Sequence, residues 1–484
     1  MTKFSNPVCF VFTTLLFIST PSPASNTHPT ELEYTIGKSQ SDLSGVFNRS
    51  NPAGADFRRG LLRSNDHVEL IFPNNVAIEY GNVDDLFIKI DELSSSFTDS
   101  DGSDGGNPGN GDDSDNDLDF DVENPDLEAL ISQVEREIAR VVGITALIAT
   151  EGYAKAELKQ EISLLFNKTV FDGTFKLDFS RHAFSSAIGL AENVNFDPDI
   201  ALAEIERLYD LGPSDPVTQY DLSGGIILTV DPAQNSVHLN IANDSLLLTK
   251  AAQTTDISLN FSRLWTETEM GALYWGVTPK YREIGLTNIA IRLGDLTDSE
   301  ELFEQIENAT LKRDSNFVLD AGLLWISKSY SLGATFKDLN ETTYSFPAID
   351  LTRFNSEDIV NQLERERHYK SKTQLTLEGS AYTREGRWAI SAYLDTNTVL
   401  DPLRQAFQWM SVRGDVFVNK WYFSNAHFGA HTNLAGSELT YFSLGADFLK
   451  YLCLDISTTR DTTTLDGDKL PRGFAFTLGL NARF

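Results

Sequence analysis

Cysteine is nearly absent from this chain of 484 residues, with only Cys9 and Cys453 present. Cys9 lies in a segment with the marks of an export signal. Its removal would leave Cys453 alone, so a disulfide framework within one chain is excluded. Positive charge is also scarce: 39 basic residues stand against 70 acidic ones, for a formal net charge of −31. Binding of nucleic acid depends on neutralising phosphates with Lys and Arg, so no direct nucleic-acid binding is expected. Long apolar runs are missing as well. Beyond the N-terminal signal no stretch approaches the length of a transmembrane helix, and entry into a membrane would have to be by strands. Motifs of catalysis are lacking: there is no Gly-x-Ser-x-Gly elbow, no phosphate loop and no His-Glu-x-x-His. Neither an enzymatic activity nor a cofactor is expected.

What is present begins with residues 1–24, which read as a signal peptide. Lys3 supplies a short positive region, Val8 to Ile18 a mostly apolar one, and Ser22-Pro23-Ala24 a site for cleavage before Ser25. From Asp256 to the end the chain breaks into segments of alternating polarity. Ile257, Leu259 and Phe261 alternate with Ser258, Asn260 and Ser262, and the same holds for Phe317–Trp325, Leu332–Phe336, Leu375–Ala381, Trp388–Leu394, Phe442–Phe448 and Leu452–Ile456. Period two over so many segments predicts β-strands with one apolar and one polar face.

Short and long connections then alternate. Tight turns fall at Glu267–Glu269, Ser327–Tyr330, Arg384–Gly386, Asn419–Lys420 and Leu449–Tyr451. Longer connections lie at Ile284–Asp314, Glu341–Lys370, Val399–Gln405, Thr432–Glu438 and Thr462–Arg472. Transmembrane barrels join strands by short periplasmic turns and long external loops, whereas a soluble β-sandwich has no reason to alternate in this way. A hairpin of Ile226–Val230 and Val237–Ile241, plus one strand near Val76–Tyr80, would bring the total to about fourteen. The expected fold is all-β: an antiparallel transmembrane β-barrel of about 14 strands, with residues 222–484 as its main body.

Residues 82–221 read as an acidic linker and helical insertion. Thr98–Asp126 is rich in Asp, Gly, Asn and Ser and has too few apolar side chains to fold alone. A solvated linker is preferred there over a calcium site, because neither group of aspartates has the Gly and Glu spacing of an EF-hand loop. Helices are expected after Asn124-Pro125, from Ala154 to Phe166, and from Pro198 to Leu208 behind Asp197. Within the long loops, Asp298 with Glu301, and Asn355 ahead of Ile359, Val360 and Leu363, read as helix starts.

The last twelve residues carry the strongest single pattern. Phe474, Phe476, Leu478, Leu480, Ala482 and Phe484 fall on one face, and Ala475, Thr477, Gly479, Asn481 and Arg483 on the other. One face suits lipid and the other a lumen. A soluble domain that ended on such an edge would invite aggregation. The apolar face with its final aromatic residue resembles the signal by which the barrel assembly machinery recognises outer-membrane proteins. All six tryptophans, Trp265, Trp275, Trp325, Trp388, Trp409 and Trp421, lie in the barrel region, several near strand ends where an aromatic girdle belongs. His427 and His431 share an inner face. With no carboxylate nearby in sequence they read as residues wetting a lumen, and no metal is expected. Cys453 also points inward and is given no role.

Residues 25–81 read as a plug with the first strand or strands. The stretch Val46-Phe47-Asn48-Arg49-Ser50-Asn51-Pro52-Ala53-Gly54 resembles the start of FadL-type transporters, which carry an Asn-Pro-Ala-Gly element in a plug inside the barrel. Gly276-Val277-Thr278-Pro279-Lys280-Tyr281 and Leu332-Gly333-Ala334-Thr335-Phe336 fit the same superfamily, and within it the chain is most similar to the barrel-type TraF proteins of conjugal-transfer operons. That resemblance implies an outer-membrane location in a Gram-negative bacterium, with lipid as surroundings and Asn51, Pro52, Ala53 and Gly54 as plug residues. Three functions follow as expectations. One is an accessory component of a plasmid transfer system acting through conjugation proteins. A second is a passive channel for hydrophobic small molecules, and a third is a barrel-anchored surface or adhesive protein.

Overall fold

The computed structural model describes residues 34–35, 47–48, 50–62, 66–98, 140–149, 151–192, 198–207, 211, 214–232, 236–295, 309–383, 387–418, 420, 422–449, 451–465 and 467–484. Fourteen strands close into one barrel. In chain order they are β1 (Val68–Tyr80), β2 (Tyr153–Val170), β3 (Gly173–Leu190), β4 (Leu246–Thr268), β5 (Gly271–Arg292), β6 (Lys312–Ile326) and β7 (Tyr330–Lys337). They continue with β8 (Gln374–Tyr382), β9 (Trp388–Asp395), β10 (Trp409–Phe417), β11 (Phe423–Asn433), β12 (Thr440–Phe448), β13 (Leu452–Thr459) and β14 (Gly473–Arg483). Each strand pairs antiparallel with its neighbour in sequence. The circle closes where β14 pairs with β1, Phe474 opposite Ile78 and Arg483 opposite Glu69. Closure leaves no unpaired edge, which is the condition for strands to cross lipid.

Alternation along each strand separates two environments. On β14, Phe474, Phe476, Leu478 and Leu480 are exposed on the outside while Gly473, Ala475, Thr477 and Gly479 are buried within. Ile257 and Leu259 on β4, Leu319 and Leu323 on β6 and Ile390 and Leu394 on β9 continue the outer apolar belt. Trp325 and Phe317 bracket it on β6, about 27 Å apart along the strand at 3.4 Å per residue. At a strand tilt near 40° that is about 20 Å of height, close to the apolar band of such barrels. Beyond Tyr281 the outer face turns polar, with Arg313 paired to Glu283 at 2.6 Å. A charged pair there marks where lipid ends.

Short turns gather at one mouth and long connections at the other. Both chain ends of the barrel also meet at the short-turn mouth, where Phe484 N–H donates to the Val68 carbonyl at 3.0 Å. The long connections carry their own structure. Helix α1 (Gly54–Arg59) precedes the barrel; α2 (Leu86–Thr98) and a helical stretch at 140–149 follow β1; α3 (Pro198–Glu206) follows β3; and α4 (Glu357–Glu366) follows β7. Leu86, Phe87 and Ile90 of α2 pack with Val141, Ile144 and Ile148, and with Ile78 and Tyr80 at the end of β1.

Several sequence expectations are corrected. Ala154–Phe166 is not a helix but most of β2. Ala154, Leu158, Ile162 and Leu165 fall at helical spacing, and Lys, Glu and Leu are good helix formers, but pairing to β1 and β3 decides for strand. The interval 82–221 is therefore not one insertion, since it contains β2 and β3. The hairpin Ile226–Asp231 with Ser236–Ile241 forms, yet joins Thr218–Asp221 in a separate three-stranded sheet outside the barrel wall. Fourteen strands are thus reached with β1, β2 and β3 and not with that hairpin. The connection expected at Ile284–Asp314 is shorter, because β5 runs on to Arg292 and β6 begins at Lys312. Helix α4 is capped by Ser356, whose hydroxyl accepts from Ile359 N–H, while Asn355 N–H donates to Asp244. The signal segment 1–24, residues 99–126, the Asp298–Ile306 helix, Asp197 and Trp421 lie outside the described residues.

Candidate functional site

The N-terminal segment lies inside the barrel at the short-turn mouth. Tyr34–Thr35 pairs with Phe47–Asn48, the latter strand resting against β7 and β8. The turn at Asn51–Gly54 follows, and α1 extends from it. Asn51 makes the turn: its side-chain oxygen accepts from Ala53 N–H at 3.0 Å and its carbonyl from Gly54 N–H at 3.0 Å. Pro52, with no N–H to leave unpaired and a fixed φ, suits the next position.

Having closed the turn with one side of its amide, Asn51 fastens it to the wall with the other. Nδ2 donates to Glu378 Oε1 at 2.6 Å and to the Leu323 carbonyl at 3.1 Å. The Pro52 carbonyl accepts from Asn260 Nδ2 at 2.9 Å. The wall is shaped to receive the turn by two glycines directly opposite each other on β5 and β6, Gly276 and Gly322. A Cβ on Gly276 would stand 2.7 Å from Ala53 N, and one on Gly322 2.7 Å from Pro52 Cδ. Any side chain at either position would occupy the turn's place. Gly333 on β7 plays the matching part for the latch, since a Cβ there would stand 2.6 Å from Glu378 Cγ.

Helix α1 is held by charge and by apolar contact. Asp56 accepts from Thr174 Oγ1 at 2.7 Å and from Leu264 N–H at 3.1 Å, and pairs with Arg59 at 3.1 Å. Arg58 donates to Glu69 at 2.6 Å, and Glu69 also accepts from Arg483 at 3.1 Å. Phe57 packs edge-on against Tyr274, ring centroids 5.7 Å apart, within a cluster of Ala53, Leu61, Leu324 and Ile326. Asn51, Pro52, Ala53 and Gly54 are all buried. Only Gly60 to His67 tether α1 to β1, so any displacement of the plug is confined to the mouth it fills.

Above the plug the lumen is occupied by paired charges. Arg282 holds Asp256 with two bonds of 2.8 Å and reaches Asp338 at 3.0 Å. Lys280 pairs with Asp320, Lys155 with Asp401 at 2.8 Å, Arg413 with Asp415 at 2.8 Å, and His182 with Glu157 at 2.5 Å. At the long-loop mouth, Tyr344, Phe346, Tyr369 and Leu403 fold inward onto Phe184, Ala252, Ile284 and Leu286. Two long connections are joined by Asp84, which accepts from Thr464 N–H at 2.8 Å; that bond holds the Asp84 carboxyl below the usual carboxylate range.

The outer residues fall as the alternation predicts. Phe474, Phe476, Leu478, Leu480 and Phe484 face outward. Trp265 and Trp388 are exposed near the short-turn mouth. Trp409 is different, being inward and only 3% exposed, edge-on to His431, which stacks on Tyr441. His427 and His431 have separate partners: His427 meets Asp455 on β13. Sequence reasoning missed Glu378 and the receiving pair Gly276 and Gly322. Gly276 stands out in the sequence only within the stretch Gly276–Tyr281 that carries the superfamily resemblance, and a glycine at an inward position gives no hint of what fills the space.

A closed antiparallel barrel with an apolar outer belt and a segment of its own chain seated in the lumen defines a plugged transmembrane barrel. The family described as "F plasmid transfer operon, TraF, protein" matches residues 49–395, from the plug through β9. The chain belongs to that family. Among solved structures it is similar to a mutant of the TodX monoaromatic hydrocarbon channel, at 9% identity over 90% of this chain and 94% of that one, with a TM-score of 0.40. It is also similar to the Pseudomonas putida toluene transporter TodX, at 11% identity, 90% and 93% coverage and a TM-score of 0.36. A third likeness is to the translocator domain of the autotransporter NalP from Neisseria meningitidis, at 8% identity, 88% and 92% coverage and a TM-score of 0.25. No curated protein matches the chain.

Proposed function

We propose that this protein is an outer-membrane component of a conjugative DNA-transfer apparatus, working as a plugged barrel whose long-loop mouth meets the proteins of that apparatus. The family match, running from the plug across the barrel to residue 395, carries this reading. The filled lumen supports it: several buried ion pairs above the plug leave the long loops and the mouths, not a central passage, as the surfaces on which the protein acts. No step of catalysis is assigned, and no nucleic acid touches the acidic chain directly. The test is transfer frequency from donor cells lacking this gene. A loss restored by the intact gene is expected; unchanged transfer would end the reading.

A second reading is passage of hydrophobic small molecules across the outer membrane. It is favoured by the seat of the plug, a turn resting on two glycines and fastened by hydrogen bonds, which can leave without breaking the wall. Here uptake of an aromatic hydrocarbon, and not DNA transfer, would respond to substitution of Asn51, Pro52 or Gly54. Equal uptake by such variants and the native protein would remove this reading.

A further inference from the structure

The lumen wall holds one cluster that neither the plug nor the ion pairs explain. His427 on β11 and Asp455 on β13 both lie in register with Gly445 on the strand between them. His427 Nε2 meets Asp455 Oδ1, and Cys453 Sγ lies 3.2 Å from Asp455 Oδ2. The donor atoms of the three residues all lie within 4.8 Å of one another. A Cβ on Gly445 would intrude on both His427 Nε2 and Asp455 Oδ1 and stand 2.7 Å from the Leu454 carbonyl, so the lack of a side chain there is what lets the two donors meet over the strand between them. A second observation points to a missing ligand. His427 Nδ1, Asp415 Oδ2 and both side-chain atoms of Asn425 are buried without a hydrogen-bond partner on the same inward face. Asp447, opposite Cys453 in register and opposite Asn425 on the other side, adds a further carboxylate.

We propose that His427, Cys453 and Asp455 bind a divalent transition metal of borderline softness, of which zinc is the type. Imidazole nitrogen, thiolate sulfur and carboxylate oxygen together match that class, whereas calcium and magnesium take oxygen alone. Zinc bonds of about 2.0–2.3 Å to these donors set tetrahedral edges of about 3.3–3.8 Å, so His427 Nε2 and Asp455 Oδ1, in contact without the ion, part to admit it, while Cys453 Sγ at 3.2 Å from Asp455 Oδ2 needs little movement. Binding forms metal–nitrogen, metal–sulfur and metal–oxygen bonds and releases the thiol proton to solvent. Asp447 or a water completes the shell, and Asn425 and Asp415 stand ready to hydrogen-bond groups around it. Cys453 is the second residue of β13, beside the short turn, which places the site at the short-turn end of the barrel. The site is independent of the functional reading above.

The test uses the full chain, purified in detergent, stripped with chelator and titrated with Co²⁺ and then Zn²⁺. One equivalent of Co²⁺ is expected, with a thiolate-to-cobalt charge-transfer band and the visible spectrum of a tetrahedral ion, both abolished by Zn²⁺. Absence of the band in the native protein overturns the proposal, whatever any variant does. Cys453→Ser should remove the band, and His427→Ala should weaken binding at least tenfold. Gly445→Ala, which keeps every donor residue but whose Cβ would push His427 Nε2 and Asp455 Oδ1 out of place, should do the same. Heat-modifiable migration verifies that each variant is folded. Retention of native binding by folded Cys453→Ser or Gly445→Ala would equally overturn it.

Discussion

Gly276→Ala tests the seat of the plug with a single methyl group. The new Cβ would stand 2.7 Å from Ala53 N and closer still to the Pro52 carbonyl. Both are backbone atoms of the turn, so no side-chain rotation relieves the clash, and the turn has to retreat by about 1 Å to restore ordinary contact. That stretches the 2.9 Å bond from Asn260 to the Pro52 carbonyl and the 2.6 Å bond from Asn51 to Glu378 beyond useful geometry. A neutral hydrogen bond contributes about 0.5–1.5 kcal/mol and one to a charged group about 1.5–3 kcal/mol. Together their loss disfavours the seated plug by about 2–4 kcal/mol, or about 30- to 1000-fold in the ratio of seated to unseated protein. Arg58 and Arg59 are trypsin sites that α1 keeps at the mouth, Arg58 buried against Glu69. Cleavage that proceeds through a brief opening follows the open population, so the initial rate of cleavage in α1 should rise by that factor. Gly379→Ala is the control, because its Cβ meets Leu332 Cδ2 at 3.4 Å and the Ser331 carbonyl at 3.9 Å, both ordinary contacts. If Gly276→Ala is cut no faster than the control while the barrel remains folded, the plug does not rest on Gly276.

Three further outcomes follow from the same geometry. Asn51→Asp sets a carboxylate against Glu378 in place of the 2.6 Å amide bond; the plug should unseat at neutral pH and reseat in acid, as protonation of either group ends the repulsion, measured by the same proteolysis. Leu478→Arg puts a cation on the lipid face of β14 and should destabilise folding into vesicles by about 2–4 kcal/mol, whereas Thr477→Ser on the inner face should be nearly silent in the same denaturant titration. Arg282→Ala strands Asp256 and Asp338 in the lumen and should destabilise by about 3–5 kcal/mol, an effect that Arg282→Ala with Asp256→Asn would partly relieve.

The barrel was legible where outward and inward residues differ sharply in polarity, as on β14, where every outward position is apolar. It was illegible on β2, where Ala154, Leu158, Ile162 and Leu165 fall four, four and three residues apart, as on a helix face, within a stretch of good helix formers. There the pairing partners decide, and Ile78 opposite Ala156 is separated from it by the whole first long connection. The converse error arose at Ile226–Asp231, a true strand whose sequence cannot tell a barrel wall from a small sheet in a loop. In the site, Asn51 and Pro52 announce a turn by their own chemistry, but Gly276, Gly322 and Glu378 acquire meaning only once β5, β6 and β8 are brought around the plug. The cluster of His427, Cys453 and Asp455 was hidden for the same reason: its members come from two strands whose registers meet at Gly445.

The most direct test of the plugged membrane barrel is the fate of the full chain on cell fractionation and gel electrophoresis. It should appear in the outer-membrane fraction and migrate faster unheated than after boiling, because a closed barrel stays compact in detergent until its strands are heated apart. A soluble periplasmic pool with no heat-dependent shift would contradict it.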